Sequence, residues 1–209
     1  MLETQNLSFR YAPFLPSMTF ADLRCERGEQ WLLLGASGSG KTTLLHLLAG
    51  LLSPTTGNVR INDTDLATLG EARRDRFRGQ NVGIIFQTAH FVRALTVEEN
   101  LLLAQQLAGL KADKSLIINF LERLNLNHKL KSKPDELSVG EAQRVNICRA
   151  LINTPSVILA DEPTSALDDC NAEEVIQLLE SQAKAANATL LIVTHDGRLK
   201  SYFKNQIQL

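Results

Sequence analysis

A glycine-rich turn between two apolar stretches constrains this chain more than any other feature. Residues 31–34 read WLLL, residues 35–40 read GASGSG, and residues 41–48 read KTTLLHLL. This pattern predicts a buried strand, a loop and a helix in direct succession. The glycines of the loop, Gly35 and Gly38 and Gly40, can adopt positive φ and turn backbone N–H groups toward an anion at the start of the helix. The stretch therefore predicts an anion-binding loop.

The loop also matches the P-loop pattern, GxxxxGK followed by Ser or Thr, which binds nucleotide phosphates. Lys41 supplies a positive charge for the β- and γ-phosphates, and the Thr42 hydroxyl is a hard oxygen ligand suited to Mg²⁺. A chance match of common turn residues is the alternative, and the strand before and helix after the loop argue against it. The predicted phosphate-binding residues are Gly35, Ala36, Ser37, Gly38, Ser39, Gly40, Lys41, Thr42 and Thr43.

The amino-acid composition limits which binding partners and which cellular compartment are expected for this protein. The chain has 209 residues, with 22 basic and 23 acidic side chains, so its net charge does not attract nucleic acid or anionic lipid over the whole surface. No apolar run approaches the roughly 20 residues that span a bilayer, and the first residues given, MLETQNLSF, lack the charged and apolar regions typical of a signal peptide. Cys25, Cys148 and Cys170 lack CxxC spacing, which is typical of reduced structural thiols. We expect a cytoplasmic protein.

Strand and helix patterns predict an α/β core with an inserted helical region. Residues 2–11 and 18–26 alternate apolar and polar side chains, which indicates an antiparallel β layer at the edge of the core. Apolar strand-like runs alternate with a helical run later in the chain, as in a mostly parallel sheet with crossover helices. These runs are residues 82–86, 157–160, 172–186 and 189–193.

The predicted division of this single domain follows from the same patterns. Residues 96 to about 151 show helical periodicity with few strand signals. We therefore expect residues 1–87 and 152–209 to form the core, and residues 88–151 a helical subdomain. The arginine-rich segment 71–78 favours a solvated helical face over a nucleic-acid patch, because acidic residues are interleaved in it.

Two carboxylates end the apolar run at residues 157–160. Asp161 is placed to hold Mg²⁺, and Glu162 to accept a proton from a water that attacks the γ-phosphate. Ligands of open α/β sheets bind at the carboxyl ends of the strands, where these residues lie. The alternative is a charged strand end that only reaches solvent, and a P-loop in the same sheet favours the metal and base interpretation.

Five motifs in this order resemble the nucleotide-binding subunits of ATP-binding cassette (ABC) transporters over nearly all of the chain. The motifs are GASGSGKTT at 35–43, Gln87 after a strand, LSVGEAQRV at 137–145, ILADEPTSALD at 158–168 and VTHD at 193–196. The resemblance implies a P-loop NTPase (RecA-like) core that hydrolyses ATP with Mg²⁺. It also implies a head-to-tail homodimer in the ATP state, and a peripheral position on the inner face of the cell membrane through a separate permease.

The resemblance implies roles for several of these residues at the bound nucleotide. Gln87 would reach Mg²⁺ and the attacking water, and His195 would contact the γ-phosphate and position Glu162. Tyr11 would stack on adenine, with Phe9 and Phe14 as neighbouring alternatives. Taken alone, a glutamine or histidine at a strand end is more often an ordinary polar residue.

The resemblance also implies contacts between two subunits. Ser138 and Gly140 would bind the γ-phosphate held by the other copy, at a helix N-terminus. Asp168, with Ser165, Ala166 and Leu167, would lie in a loop that crosses to the partner subunit.

One residue departs from the family's pattern. The first signature glycine of the family is Val139 here, and a β-branched residue resists positive φ and needs more room than glycine. We expect a weaker or slower ATP-driven dimer, with the site retained.

A narrower resemblance concerns the subfamily. The stretches SGSGKTTLLHLLAGL, GIIFQTAHFVRALTVEENL and ILADEPTSALD are similar to the stand-alone ATPases of the lipoprotein-release, macrolide-efflux and cell-division type. Residues 96–133 would then carry the dock for the permease.

Two other functions compete with transport. A soluble ABC-type ATPase would act on ribosomes or DNA, but such relatives usually carry paired cassettes, long coiled-coil insertions or basic tails. A P-loop kinase would phosphorylate a small molecule, and it would not need the LSVGEAQRV stretch or Asp168. No nucleic-acid partner is expected.

Overall fold

The part of the chain that the structure describes contains two five-stranded sheets and six α-helices, joined by loops and short 3-10 turns. The structure is a computed structural model that describes residues 1–165, 167 and 169–209, without the side chains of residues 169–171. Ala166, Asp168 and the side chain of Cys170, for which the sequence made predictions, lie outside the described residues.

The strands are β1 (Leu2–Phe9), β2 (Met18–Thr19), β3 (Arg24–Cys25), β4 (Gln30–Leu34), β5 (Thr56–Ile61), β6 (Thr64–Asp65), β7 (Val82–Ile85), β8 (Val157–Asp161), β9 (Thr189–Thr194) and β10 (Asn205–Gln208). The helices are α1 (Lys41–Leu48), α2 (Glu71–Asn81), α3 (Val97–Leu107), α4 (Lys114–Arg123), α5 (Val139–Leu151) and α6 (Asp169–Ala185).

The larger sheet is parallel throughout and confirms the predicted core. Its strand order is β10-β4-β9-β8-β7. Leu34 pairs with Thr194, and Asp161 pairs with Val193, so β4, β8 and β9 end at nearly the same level. The segments that follow these three strands therefore emerge side by side at one edge. The sequence did not predict β10, which adds the outer strand beside β4.

The smaller sheet is the predicted antiparallel layer, with order β2-β1-β5-β6 and β3 paired to β1. The expectation of one strand at 18–26 is wrong, because only β2 and β3 form there. Asn6 has a φ of 50°, and the register of β1 against β5 shifts between Gln5 and Ser8. The amide of Asn6 donates instead to the Asp22 carboxylate at 2.7 Å. This irregularity interrupts the pairing in the middle of the expected strand.

Helix α1 lies between the two sheets. Its leucines, Leu44, Leu45, Leu47 and Leu48, are buried in one cluster with Leu2 and Ile61 of the smaller sheet and Leu33 and Leu191 of the larger sheet. Full burial of each leucine contributes about 1.5–3 kcal/mol. This packing fixes the start of α1, and hence the glycine-rich loop, against the edge of the parallel sheet.

The region 88–151 contains helices and turns, and all of it is described and free of strands. Helices α3, α4 and α5 share one apolar cluster that includes Val97, Leu101, Ile117, Leu121 and Val145. The next residue but one on α5, Ile147, belongs to the cluster under the parallel sheet, so α5 packs on both sides. The predicted domain limits at 88 and 151 stay a prediction.

Helix α2 is the arginine-rich segment, and it is solvated as expected. None of its residues is buried. Arg78 pairs with Asp75 of the same helix at 2.7 Å and also donates to the carbonyl of Gly50.

Candidate active site

Most of the residues predicted to bind nucleotide or metal line a cleft at the carboxyl edge of the parallel sheet. The cleft has a volume of about 330 Å³. The loop before α1, the residues after β7 and β8, and the residue after β9 all reach it. Its lining residues are Met18, Ser37, Gly38, Gly40, Lys41, Thr42, Thr43, Gln87, Asp161, Glu162 and His195.

Two glycines of the loop hold the conformation that the sequence predicted, and the third does not. Gly38 and Gly40 have φ values of 82° and 97°, a region that residues with a side chain rarely adopt. The prediction of positive φ at Gly35 is wrong. Gly35 is required for space instead, because a Cβ there would lie 2.6 Å from Ser39 Oγ and 3.2 Å from Leu209.

The lysine of the loop is buried and held by the loop itself. Lys41 Nζ donates to the carbonyl oxygens of Gly35 at 2.8 Å and Ala36 at 2.9 Å. An ammonium group has three N–H donors, so one donor is left for an anion in the cleft. The hydroxyl of Ser39 is buried and has no hydrogen-bond partner among the described residues. A buried cation and an unsatisfied hydroxyl in a loop of backbone N–H groups fit a bound phosphate chain.

A hydroxyl and a carboxylate predicted to hold Mg²⁺ lie in contact. Thr42 Oγ1 donates to Asp161 Oδ2 at 2.9 Å. Burial raises the pKa of Asp161, and the hydrogen bond from Thr42 opposes that shift. No group of three or more His, Cys, Asp or Glu side chains that could bind a metal occurs in the described residues. One carboxylate and one hydroxyl nevertheless fit Mg²⁺, which keeps waters and takes further oxygens from a substrate phosphate.

Glu162 is the most tightly constrained carboxylate in the cleft. Its φ is 46°, and its amide donates to the carbonyl of Val193 at 2.8 Å. Oε2 accepts a hydrogen bond from Thr194 Oγ1 at 2.6 Å, and Oε1 accepts one from the His195 amide at 3.0 Å. The His195 ring also contacts Oε1 through Nδ1 at 2.6 Å. The structure thus brings the two predicted site residues His195 and Glu162 into direct contact.

Thr194 is a site residue that the sequence analysis missed. Its side chain is fully buried, and it lies between Glu162 and the amide of Asp196, which donates to Thr194 Oγ1 at 3.0 Å. The available signal was a hydroxyl at the end of an apolar strand, directly before the predicted histidine.

Gln87 lines the cleft, whereas Tyr11 lies beside it, in contact with the lining residue Thr43. The Gln87 side-chain amide donates to Ser165 Oγ at 3.3 Å. The Tyr11 hydroxyl and Thr43 Oγ1 are hydrogen-bonded at 2.8 Å, and the ring meets Phe9 edge-on at 4.8 Å between centroids. Tyr11 is 57% exposed whereas Phe9 is buried, so a face of Tyr11 is open beside the loop. Phe14 is more exposed still.

The signature residues Ser138 and Gly140 lie outside this cleft. Ser138 caps α5 in a reciprocal pair: its Oγ accepts from the Glu141 amide at 3.3 Å, and Glu141 Oε2 accepts from the Ser138 amide at 2.8 Å. The hydrogen bond from the Ser138 backbone lowers the pKa of Glu141 to about 2. The amides of Val139 and Gly140 are in the first turn of α5, where no intrahelical acceptor exists for them.

Val139 does not have the positive φ that would strain a β-branched residue. It is the first residue of α5, and its φ is not positive. Its side chain is 64% exposed and faces a neighbouring cavity of about 380 Å³, which Gln87 and Glu162 also line. The prediction of backbone strain at Val139 is therefore wrong. The larger side chain is the remaining difference from glycine.

No helix in the described ranges has the length and apolar character needed to cross a bilayer.

Comparisons with known proteins agree with this geometry. A sequence model of the ABC transporter family matches residues 19–165. The lipoprotein-releasing system ATP-binding protein LolD of Colwellia psychrerythraea is 38% identical over 190 residues, which cover 90% of this chain and 74% of LolD. The putative hemin import ATP-binding protein HrtA of Staphylococcus aureus is 44% identical over 186 residues, covering 88% and 84%.

A solved structure shares the whole fold. The dimeric post-hydrolysis state of the ATP-binding cassette MJ0796, bound to ADP and Pi, superposes with a TM-score of 0.90 at 31% identity. The match covers 100% of this chain and 94% of that chain.

Proposed function

The chain belongs to the ABC transporter family and is an ATPase of that family, and from this premise we propose that it hydrolyses ATP with Mg²⁺ in a head-to-tail homodimer that drives a separate membrane permease. The observation that carries the proposal is the convergence of Lys41, the Thr42–Asp161 pair and the Glu162–His195 pair on one cleft. Each pair has a defined use in phosphoryl transfer to water.

Binding of the nucleotide rests on the loop before α1. Lys41 and the backbone N–H groups of residues 35–43 hold the phosphate chain, and the buried Ser39 hydroxyl supplies one more donor. Tyr11 offers an open aromatic face for adenine beside Thr43.

The predicted metal ligands are Thr42, Asp161 and Gln87. A magnesium ion held there would neutralise negative charge on the β- and γ-phosphates. The hydrogen bond from Thr42 orients the Asp161 carboxylate. Because burial favours the protonated form of Asp161, this carboxylate gains from a cation that replaces the lost solvation.

The hydrolytic step uses Glu162 as the general base. A water attacks the γ-phosphorus in line with the leaving β-phosphate oxygen, and Glu162 takes a proton from that water as the bond to the leaving oxygen breaks. Thr194 and the His195 amide hold the two carboxylate oxygens in place. The His195 ring is 65% exposed, and its other nitrogen would contact the γ-phosphate.

The placement of the signature residues supports a dimer. Ser138 and Gly140 do not reach the cleft of their own chain, yet the first turn of α5 presents the amides of Val139 and Gly140, which have no intrahelical acceptor. A second copy in head-to-tail orientation would place this N-terminus over its partner's γ-phosphate. The solved relative with a TM-score of 0.90 is itself dimeric.

An apolar groove beside α3 is our candidate for the permease dock. The groove has a volume of about 560 Å³ and is lined by residues of α2, α3 and α5. Val92 and Leu107 in it are 46% and 73% exposed, and large exposed apolar side chains of this kind favour a protein partner. Leu107 lies within the predicted docking region 96–133.

We place the protein in the cytoplasm, peripheral on the inner face of the membrane through this permease. Similarity to LolD favours a permease of the lipoprotein-release and macrolide-efflux type. The near-neutral composition argues against a nucleic-acid partner, and so against the soluble ATPase that acts on ribosomes or DNA.

Two measurements test the proposal. Phosphate release from Mg-ATP by the purified chain, without a phosphorylated acceptor, is the expected reaction, and a phosphorylated small molecule would instead indicate a kinase. A tagged chain should then copurify with an integral membrane protein from detergent-solubilised membranes. Recovery with ribosomes or DNA, and not with membrane protein, would overturn the transport assignment.

A further inference from the structure

Helix α5 carries a row of polar side chains that form hydrogen bonds with the loops of the active site. The row consists of Gln143, Asn146 and Arg149, which are spaced by three residues and therefore lie along one face of the helix. Each of them donates a hydrogen bond to a backbone carbonyl outside α5. Two of these carbonyls belong to direct neighbours, Pro163 after Glu162 and Phe86 before Gln87, and the third belongs to His90, three residues after Gln87.

The first contact of the row reaches the residue after the general base. Gln143 Nε2 donates to the carbonyl oxygen of Pro163 at 2.8 Å, and Gln143 is 8% exposed. Pro163 directly follows Glu162, whose positive φ needs support from its surroundings. The pairing of the Glu162 amide with β9 holds one side of this turn, and Gln143 holds the other.

The next contacts hold the loop that contains Gln87 on both sides. Asn146 Nδ2 donates to the carbonyl of Phe86 at 3.0 Å, and Asn146 is fully buried. Arg149 donates to the Asn146 side-chain oxygen at 3.0 Å and also to the carbonyl of His90. The guanidinium lies 5.0 Å from the ring centroid of Phe91, in a cation–π contact.

The apolar residues of α5 pack tightly on both sides of the helix, so its polar contacts would move together. Ile147 and Leu151 pack under the parallel sheet, whereas Val145 and Cys148 pack in the helical cluster. A shift of α5 therefore moves the polar row with it, because packed interiors transmit displacement. The same helix begins at Ser138, the residue that the proposed dimer places at the nucleotide of the second copy.

We infer that Gln143 is a positioning residue for Glu162 of its own chain, through the hydrogen bond to Pro163, with Asn146 acting in the same way on the Gln87 loop. Helix α5 of one chain would therefore contact the nucleotide bound by the second copy and also position the general base, Glu162, of its own chain. This inference rests on the proposed ATPase dimer.

Covalently linked tandem dimers test the inference. In the parent tandem, one half carries Glu162→Gln, so that all turnover comes from the half with the intact glutamate. Gln143→Met, which keeps the length of the side chain and removes the donor, is placed in either half. In the half with intact Glu162, it should lower kcat about tenfold with KM for ATP nearly unchanged, since the base and not the nucleotide is displaced.

The other placement separates positioning from a structural role. In the second placement, Gln143→Met is in the half that carries Glu162→Gln. Helix α5 of that half reaches the active site with the intact glutamate only through Ser138 and Gly140. The kcat should therefore stay within about twofold of the parent tandem. Equal losses in both placements, or a loss only in this second placement, would overturn the inference. Gln177→Met, the same change at an exposed glutamine of α6, is the matched control and should leave kcat unchanged in either half.

The outcome for the proposed function is read separately. A wild-type tandem that releases no phosphate from Mg-ATP contradicts the proposed function. Normal wild-type turnover with no effect of Gln143→Met in the intact half contradicts only the positioning role.

Discussion

Thr194 holds the carboxylate of Glu162 through a hydrogen bond of 2.6 Å between two buried side chains. The contact links the ends of β8 and β9, which pair as neighbours in the parallel sheet. Glu162 has a φ of 46°, a conformation that costs on the order of 1–3 kcal/mol and persists only where surrounding contacts enforce it. Thr194 is one of those contacts, so the orientation of the general base depends on it.

Replacing Thr194 by valine should therefore lower turnover more than binding. Valine keeps the shape of the side chain and removes the donor, so kcat should fall about tenfold with KM for ATP nearly unchanged. Thr194→Ser restores the hydroxyl and should recover most of the rate. Steady-state ATPase kinetics on the three proteins provide the measurement, and an equal loss in the serine and valine variants would contradict the role of the hydroxyl.

Val139→Gly should strengthen the ATP-driven dimer and raise the ATPase rate. Because the Val139 side chain is exposed and its backbone is unstrained, the change removes bulk at the subunit interface and little else. We expect a gain of about fivefold in dimer affinity, which corresponds to ~1 kcal/mol, with Val139→Ala between the two.

Sedimentation with the hydrolysis-deficient Glu162→Gln background measures this dimer directly. Unchanged dimerisation and rate in Val139→Gly would show that the valine is no obstacle.

The pH dependence of stability should report the cap of α5. Glu141 has a pKa of about 2 in the folded chain against an ordinary value of 4.5. A lowered folded pKa means that the contribution of the ionised group is present above about pH 4.5 and is lost as the pH falls toward 2.

The difference in urea midpoint between wild type and Glu141→Gln should thus be present at pH 5.5 and shrink below about pH 4.5. Other carboxylates titrate equally in both proteins and cancel in the difference. A difference that stays constant at pH 3.5 would contradict the lowered pKa.

Tyr11→Ala should weaken ATP binding by about 1–3 kcal/mol, the range for loss of stacking between an aromatic side chain and a base. Tyr11→Phe keeps the ring and loses only the hydrogen bond to Thr43, so its affinity should stay near that of wild type. Phe14→Ala is the matched control at a neighbouring exposed aromatic. Fluorescent-nucleotide titration decides between them, and a loss confined to Phe14→Ala would make Phe14 the stacking residue.

The sequence predicted those features that depend on local pattern. Residues 31–48 predicted the strand, loop and helix because apolar periodicity and glycine spacing act over a few residues. The parallel sheet followed from apolar runs separated by a helical pattern, and the ends of those runs located Asp161, Glu162 and His195.

The features that the sequence did not predict depend on contacts between distant segments. Gly35 is needed because Ser39 and Leu209 crowd it, and Thr194 matters because β8 and β9 are neighbours. The expected strand at 18–26 failed because Asn6 and Asp22 form a contact that no periodicity records. The roles of Gln143 and Asn146 as hydrogen-bond donors were also not predicted, since their acceptors are backbone carbonyls in other segments of the chain.

The central claim is that Mg-ATP binds in the cleft of Lys41 and is hydrolysed with Glu162 as the base. Glu162→Gln keeps the loop and the metal ligands intact, so ATP affinity in the presence of Mg²⁺ should stay within about threefold of wild type while kcat falls by at least about a hundredfold. Titration and phosphate release on the same preparation measure both quantities. Turnover at the wild-type rate, or a chain that shows no affinity for Mg-ATP, would contradict the account.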